Sequence, residues 1–350
     1  MLLFRLLFAL VALVFGTSAR SIGWPWPECI GFNTHIRPHL GDLVVDGAGK
    51  YPGSFRTIGL AVAALKNTTA FPYNLGQTIF IFPGNYTEQV YIGKLLGPLT
   101  IQGYTCDSRS YKKNQVTISY NLSRLTSGLT NNDQTSTVRL WTSNAKFYNL
   151  NIVNTFGEGA QALALSAQNT NQGFYGCKFV GWQDTIYANE GRQIYANSYV
   201  SGAVDFIFGL RASAWFWNVD IEPLGKGWIT ANGREAENNT SFYVFTKCKV
   251  NGAGSATAGS AYLGRPWRQF SRVVFQKSYL DDVVNPAGWS VWDSIQPVDN
   301  LYYGEYENTG PGAVGPRANF SFQLQDPVSA IDILGKGYQK EYWVDINYLK

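Results

Sequence analysis

Two aspartates sit where a carboxylate is hard to accommodate. Asp184 lies in Gly181-Trp-Gln-Asp-Thr-Ile186, and Asp205 in the apolar run Ala203-Val-Asp-Phe-Ile-Phe208, 21 residues on, in a chain only 15% charged. A buried carboxylate must be paired, protonated or chemically employed, because leaving it unpaired in apolar surroundings is costly. One ionised aspartate can attack an acyl carbon while a second, protonated one delivers a proton to the leaving group. The oxyanion formed on the way needs neutral donors, which the side-chain amides of Gln161 and Gln183 can supply. The nucleophile needs a nearby cation to stay ionised, and Tyr262-Leu-Gly-Arg-Pro-Trp-Arg-Gln-Phe270 offers Arg265, whose planar guanidinium suits a carboxylate. Trp267, two residues further, can form a platform for a sugar ring.

Other chemistries find no support. The two histidines, His35 and His39, flank Ile-Arg-Pro; Pro38 disfavours the helix that would bring them onto one face, so they read as surface loop residues. There is no Gly-x-Ser-x-Gly elbow, no phosphate-binding Gly-x-x-x-x-Gly-Lys-Ser/Thr loop and no Cys/His zinc spacing. No metal or cofactor is expected.

Such residues need a scaffold that holds them together. Short β-like segments of one shape recur at Phe147–Ile152, Phe174–Phe179, Ile194–Tyr199, Phe216–Ile221, Phe245–Val250 and Phe275–Leu280, their starts 27, 20, 22, 29 and 30 residues apart. Strands repeating at that interval indicate a solenoid, and we read an all-β chain wound as a right-handed parallel β-helix with coils of about 22 residues, loops of varying length forming the cleft, and a short N-terminal helix. Residues one coil apart then lie about 4.8 Å apart. The intervals from Asp184 to Asp205 and from Gln161 to Gln183 are each close to one coil, so all four residues gather on one face. Cys177 and Cys248 share one slot of the repeat with Leu150 and Val219. Three coils separate the two thiols by roughly 14 Å, beyond the ~7 Å reach of a disulfide, so both read as buried free thiols. The pairing of Cys29 with Cys106 stays open. The helix is expected at Phe55–Leu65 with Ser54 as its N-cap.

Residues 1–19 read as a secretory signal: Arg5 precedes the apolar core Leu6–Gly16, and Thr17-Ser-Ala19 supplies small residues for cleavage. Residues 20–40 form an N-terminal segment and 41–350 the catalytic β-helix domain. Removing Arg5 lowers the net charge from +4 to +3, with no basic block suited to nucleic acid; a secreted monomer with neither nucleic-acid nor membrane partner is expected. Asn67, Asn85, Asn121, Asn238, Asn239 and Asn319 head glycosylation sequons, with Asn85 the one expected to stay bare.

Five blocks occur in order: Gly84-Asn-Tyr-Thr-Glu88, Gln161-Ala-Leu-Ala-Leu165, Gly181-Trp-Gln-Asp-Thr-Ile186, Asp205-Phe-Ile-Phe-Gly209 and Leu263-Gly-Arg-Pro-Trp267. Through them the chain resembles the pectin methylesterases (pectinesterases) of carbohydrate esterase family 8 over residues 41–345. It is similar to the compact microbial and above all fungal type, without a pro-region. Leu163, Trp182 and Ile186 depart from the usual valine, phenylalanine and leucine, and none of these changes alters a chemical group. The resemblance implies release of methanol from methyl-esterified homogalacturonan. Asp205 would be the nucleophile, Asp184 the acid and then the base, and Gln161 and Gln183 the oxyanion hole. Arg265 would hold Asp205, and Trp267, Tyr187 and Phe208 would line the substrate cleft. Glu88 reads as structural. A β-helical lyase or polygalacturonase that cuts the main chain, and a non-catalytic wall-binding protein, remain the alternatives; the presence of both aspartates, both glutamines and Arg265 argues against the latter.

Overall fold

The computed structural model describes Trp26, Cys29, residues 31–69 and residues 76–350; the leader expected at 1–19 lies outside them. The described strands pair in parallel in three sheets of eleven, eight and seven strands. From Ala145 to Gly264 each coil gives one strand to each sheet in turn, so the chain winds as a right-handed parallel β-helix. Its interior is a continuous apolar core, in which rings one coil apart stack: Phe174–Tyr195, Tyr195–Phe216, Phe216–Phe245 and Phe245–Phe275 have centroids 4.8, 4.6, 4.3 and 4.3 Å apart. Strand spacing alone sets that separation.

The six recurring segments are not straight strands. Each is a corner where the chain leaves the eleven-stranded sheet for the eight-stranded one, as from Ala145–Tyr148 to Asn151–Asn154. The turning residues, Asn149, Gly176, Asn197, Asn218, Lys247 and Lys277, all have φ between 49° and 59°. Asparagine and glycine tolerate this left-handed region best, which is why they recur there. The third segment is also one residue out of step: Tyr195, not Ile194, is level with Phe174 and Phe216.

The N-terminal helix is shorter than expected, spanning Ile58–Ala63, and its cap is Thr57, whose hydroxyl accepts from the Leu60 amide. Ser54 instead donates to the Tyr51 carbonyl. Glu88 accepts from the Ile58 and Gly59 amides at 2.8 Å each, tying the first block to the helix start in a structural role. Cys29 and Cys106 form a disulfide, whereas Cys177 and Cys248 are free and buried. Burial pushes each thiol up to about 12. At the other end, Ala330–Leu334 and the residues after it cover the outer face of the eleven-stranded sheet, enclosing a second apolar cluster around Trp215 and Trp343. Among the described residues, no helix is long and apolar enough to cross a membrane.

Candidate active site

The site is built at the entry to the seven-stranded sheet, just before the strands Ile186–Ala188 and Ile207–Gly209. Gln183 bridges Val204 and Ile186 pairs with Ile207, so Asp184 and Asp205 occupy equivalent places on adjacent coils. Both adopt left-handed backbone conformations, φ 64° and 48°. For a non-glycine residue that conformation is uncommon, and it persists where the surroundings over-determine it; here the Asp184 amide donates to the Val204 carbonyl at 3.1 Å. Both residues are 6% exposed.

Gln161 is not level with Gln183. The coil step here is 21 residues, as in Leu165↔Ile186, so Gln183 is level with Ala162, whose amide donates to the Gln183 carbonyl. The two glutamines are therefore diagonal neighbours. Both still line one cavity of about 280 Å³ together with Asp184, Asp205, Arg265, Phe208 and Trp267. Tyr187 stands one coil behind Phe208, stacked at 4.3 Å, and opens onto a neighbouring cavity that Trp267 also lines. His35 and His39 are exposed and line neither cavity.

Arg265 follows the strand Ala261–Gly264, its own amide pinned to the Thr230 carbonyl. Its Nε donates to Asp205 Oδ1 at 2.9 Å and its Nη2 to Oδ2 at 2.7 Å, a two-point pair. Two residues not anticipated from the sequence flank it: the guanidinium carbon lies 3.5 Å from the Trp228 ring centroid and 4.2 Å from that of Trp292. Trp228 is itself held by Nε1 donating to Ser290 Oγ at 2.6 Å. It stands two residues before Thr230, as Asp205 stands two before Ile207, the partner of Thr230. Extending the coil count one step past Asp205 would have found it.

A third unanticipated residue is Asn132, whose Nδ2 donates to Asp184 Oδ2 at 3.0 Å. No motif marks it. Its turn is anchored through the adjacent Asp133, which accepts from Arg139, from Trp141 Nε1 and from Ser166 Oγ. Asn132 thus owes its place to a side-chain network around Asp133 that draws on the next strand, through Arg139, and on the following coil, through Ser166.

The electrostatics separate the two aspartates. Burial pushes the Asp184 carboxyl well above its ordinary value; the neighbouring Asp205 charge pushes it further, and Arg265 opposes both. Asp205 is also raised, by burial, although its hydrogen bonds and charge attraction with Arg265 pull it back. Arg265 holds Asp205 down, as its ion pair demands, but desolvation outweighs the pair and the net shift is upward. The order survives, because Arg265 bonds Asp205 directly and Asp184 feels a like charge instead. Asp205 ionises first. Such a site offers one carboxylate, one carboxylic acid and neutral amide donors in one cavity. Among the described residues no three His, Cys, Asp or Glu side chains cluster closely enough to hold a metal ion.

The comparisons with known proteins identify the family. The Pectinesterase family model matches residues 42–321. A pectinesterase of Aspergillus niger is 44% identical over 316 residues, covering 88% of this chain and 92% of that one, and one of Aspergillus aculeatus is 44% identical over 315 residues, covering 88% and 92%. Among solved structures, the deglycosylated pectin methylesterase from Aspergillus niger superposes with a TM-score of 0.81 at 36% identity, covering 90% of this chain and 100% of that one. The carrot pectin methylesterase superposes at 0.76 with 30% identity, covering 88% and 98%. A match of this breadth, on a β-helix that gathers two carboxylates, two amides and an arginine, places the chain in the pectinesterase family of carboxylic ester hydrolases.

Proposed function

We propose that the protein is a secreted enzyme that hydrolyses the methyl esters of homogalacturonan, releasing methanol and leaving pectate. Asp205 attacks the ester carbonyl, and the developing oxyanion is held by the side-chain amides of Gln161 and Gln183. Collapse of this intermediate expels the methoxy group, which takes the proton of Asp184 and leaves as methanol. The galacturonyl carboxyl is then joined to Asp205 as an anhydride. Asp184, now a carboxylate, removes a proton from water as the water attacks the acyl carbon; Asp205 leaves as a carboxylate, Asp184 is again protonated, and the sugar carboxylic acid so formed loses its proton to solvent. Arg265 keeps Asp205 ionised and aims its oxygens. The observation that carries this reading is the two-point Arg265–Asp205 pair one coil from a second buried carboxyl, Asp184, which burial and the Asp205 charge push upward.

Secretion rests on the sequence of residues 1–19. Exposed sequons at Asn121, Asn238 and Asn319 suit a glycosylated surface, whereas Asn239 spends its amide on the Leu210 carbonyl.

Methanol release and pectin viscosity, followed together, test the activity. Methanol without loss of viscosity is expected. A fall in viscosity with ultraviolet-absorbing ends would replace this reading with a lyase, and neither signal would replace it with a binding protein.

The indole of Trp228 on Arg265 carries a separate expectation. A cation–π contact contributes about 0.5–2 kcal/mol. Trp228→Leu should therefore lower kcat/KM by roughly 2- to 30-fold and move the acid limb of the pH–rate profile upward, since a looser Arg265 counters the burial of Asp205 less well. An acid limb that stays in place would mean that the ion pair alone holds Arg265.

A further inference from the structure

Asn132 stands at the start of the single helical turn Asp133–Thr135, where an asparagine side chain commonly caps the turn. Here it does not. The turn closes on the Asn132 backbone carbonyl, which accepts from the Thr135 amide at 3.0 Å and from Thr135 Oγ1 at 2.8 Å, and the Asn132 side chain makes no cap bond. With φ −66° and ψ −37°, its backbone has a conformation that any residue but glycine readily takes. Among the described residues, the one hydrogen bond of the Asn132 side chain is that from Nδ2 to Asp184 Oδ2, which is also the one hydrogen bond of the Asp184 carboxyl. The two carboxyls of the site are thus held differently. Arg265 engages both oxygens of Asp205. Asn132 engages a single oxygen of Asp184 and leaves Oδ1 without a partner, in a residue that lines the catalytic cavity.

We propose, on the methylesterase reading above, that Asn132 is a positioning residue that fixes which oxygen of Asp184 carries the catalytic proton. The NH₂ group of an amide only donates, and the carbonyl oxygen of a carboxylic acid is a better acceptor than its hydroxyl. In the acid form Asn132 therefore keeps Oδ2 as the carbonyl oxygen and the proton on Oδ1. That proton passes to the methoxy oxygen as the ester C–O bond breaks, and its bonding pair stays on Oδ1. The same oxygen then takes the proton of the attacking water, so Asp184 keeps one orientation through both halves of the cycle. A neutral donor suits this task, because a lysine or arginine in its place would favour the ionised form and strip the acid of its proton. Asp184 already faces one cation, Arg265, together with the Asp205 charge and the Tyr187 phenol, and the Asp133 carboxylate beside Asn132 is taken up by Arg139.

The test follows initial methanol release from methyl-esterified homogalacturonan by the full-length enzyme across pH. Asn132→Ala should lower kcat by about 10- to 100-fold, the cost of a misaligned reacting group, with KM little changed. A hydrogen bond donated to a carboxylate favours its ionised form, so losing it should move the alkaline limb of the kcat profile upward by about one pH unit. Asn132→Asp has the same shape and starts a helical turn equally well. It should nevertheless be worse than alanine and move the limb further, since it sets a second charge against Asp184. The double variant decides the matter. A residue that works through Asp184 has nothing to position once Asp184 is asparagine, so Asn132→Ala should add almost no loss to that of Asp184→Asn. The same fold-loss in both backgrounds, or a loss confined to KM, would make Asn132 a substrate contact or a brace and overturn the inference. So would an alkaline limb that stays in place, recovery of activity in Asn132→Asp, or an Asn132→Ala chain that fails to fold, since the amide would then be holding the turn. Any of these with methanol release by the wild type intact would sink this inference alone; a wild type that releases no methanol would sink the esterase reading with it.

Discussion

Asp205→Asn should abolish methanol release, lowering kcat by about 10⁵-fold or more, because an amide cannot act as the nucleophile and nothing else in the cavity replaces it. Binding of methyl-esterified oligogalacturonides, read from the fluorescence of the cleft tryptophans, should persist, since Phe208, Trp267 and the two glutamines are untouched. The substitution also removes the negative partner of Arg265, so a circular-dichroism spectrum must accompany the assay. A variant that folds, shows the mass of asparagine at 205 and still releases a tenth of the wild-type methanol would rule out the covalent route.

Asp184→Asn should slow turnover by about 10³- to 10⁴-fold, near the upper end of what general acid–base catalysis supplies. The methoxy group would depart unprotonated and the attacking water would have no base. The same substitution should stabilise the fold at neutral pH. Burial and the charge of Asp205 raise the folded-state pKa of Asp184 above its unfolded value, so the stability this group contributes is fully present below about the ordinary 3.8 and is lost as pH rises through the folded value. Asparagine keeps the neutral, hydrogen-bonded form at every pH and can still accept from Asn132 Nδ2. Its Tm should therefore exceed that of the wild type at pH 7, with the gap closing as the pH falls towards 3.8. A lower Tm at pH 7 would mean that the ionised carboxylate is stabilised in the fold and that the acid role is misassigned. Loss of activity with gain of stability is the expected pattern where a site holds a charge in unfavourable surroundings.

The parts of the molecule legible in the sequence are those governed by short-range rules that repeat. The corner shape recurs because asparagine or glycine at the turn and an aromatic ring two residues earlier satisfy the same local demands on successive coils, as at Phe147 with Asn149 and Phe174 with Gly176. Coil arithmetic then placed Asp184 level with Asp205 and kept Cys177 from Cys248. The same arithmetic misaligned Ile194 and set Gln161 level with Gln183, because segment starts were chosen by residue type, whereas the register of a coil is decided by the hydrogen-bonded ladder.

The sequence by itself determined the solenoid and the gathering of the carboxylates and amides on one face, each from residue type and a regular interval, and it offered Arg265 as the cation from residue type alone. Only the tertiary structure decided the pairing of Cys29 with Cys106, the turn that sets Asn132 against Asp184 and the Trp292 indole beside Arg265. These contacts join loops of irregular length, so no interval encodes them. It also decided the sign of the Asp205 shift, because desolvation depends on how many atoms from all over the chain close around a group. A motif names the arginine beside an aspartate; the surrounding fold sets how much water is left there to compete with it.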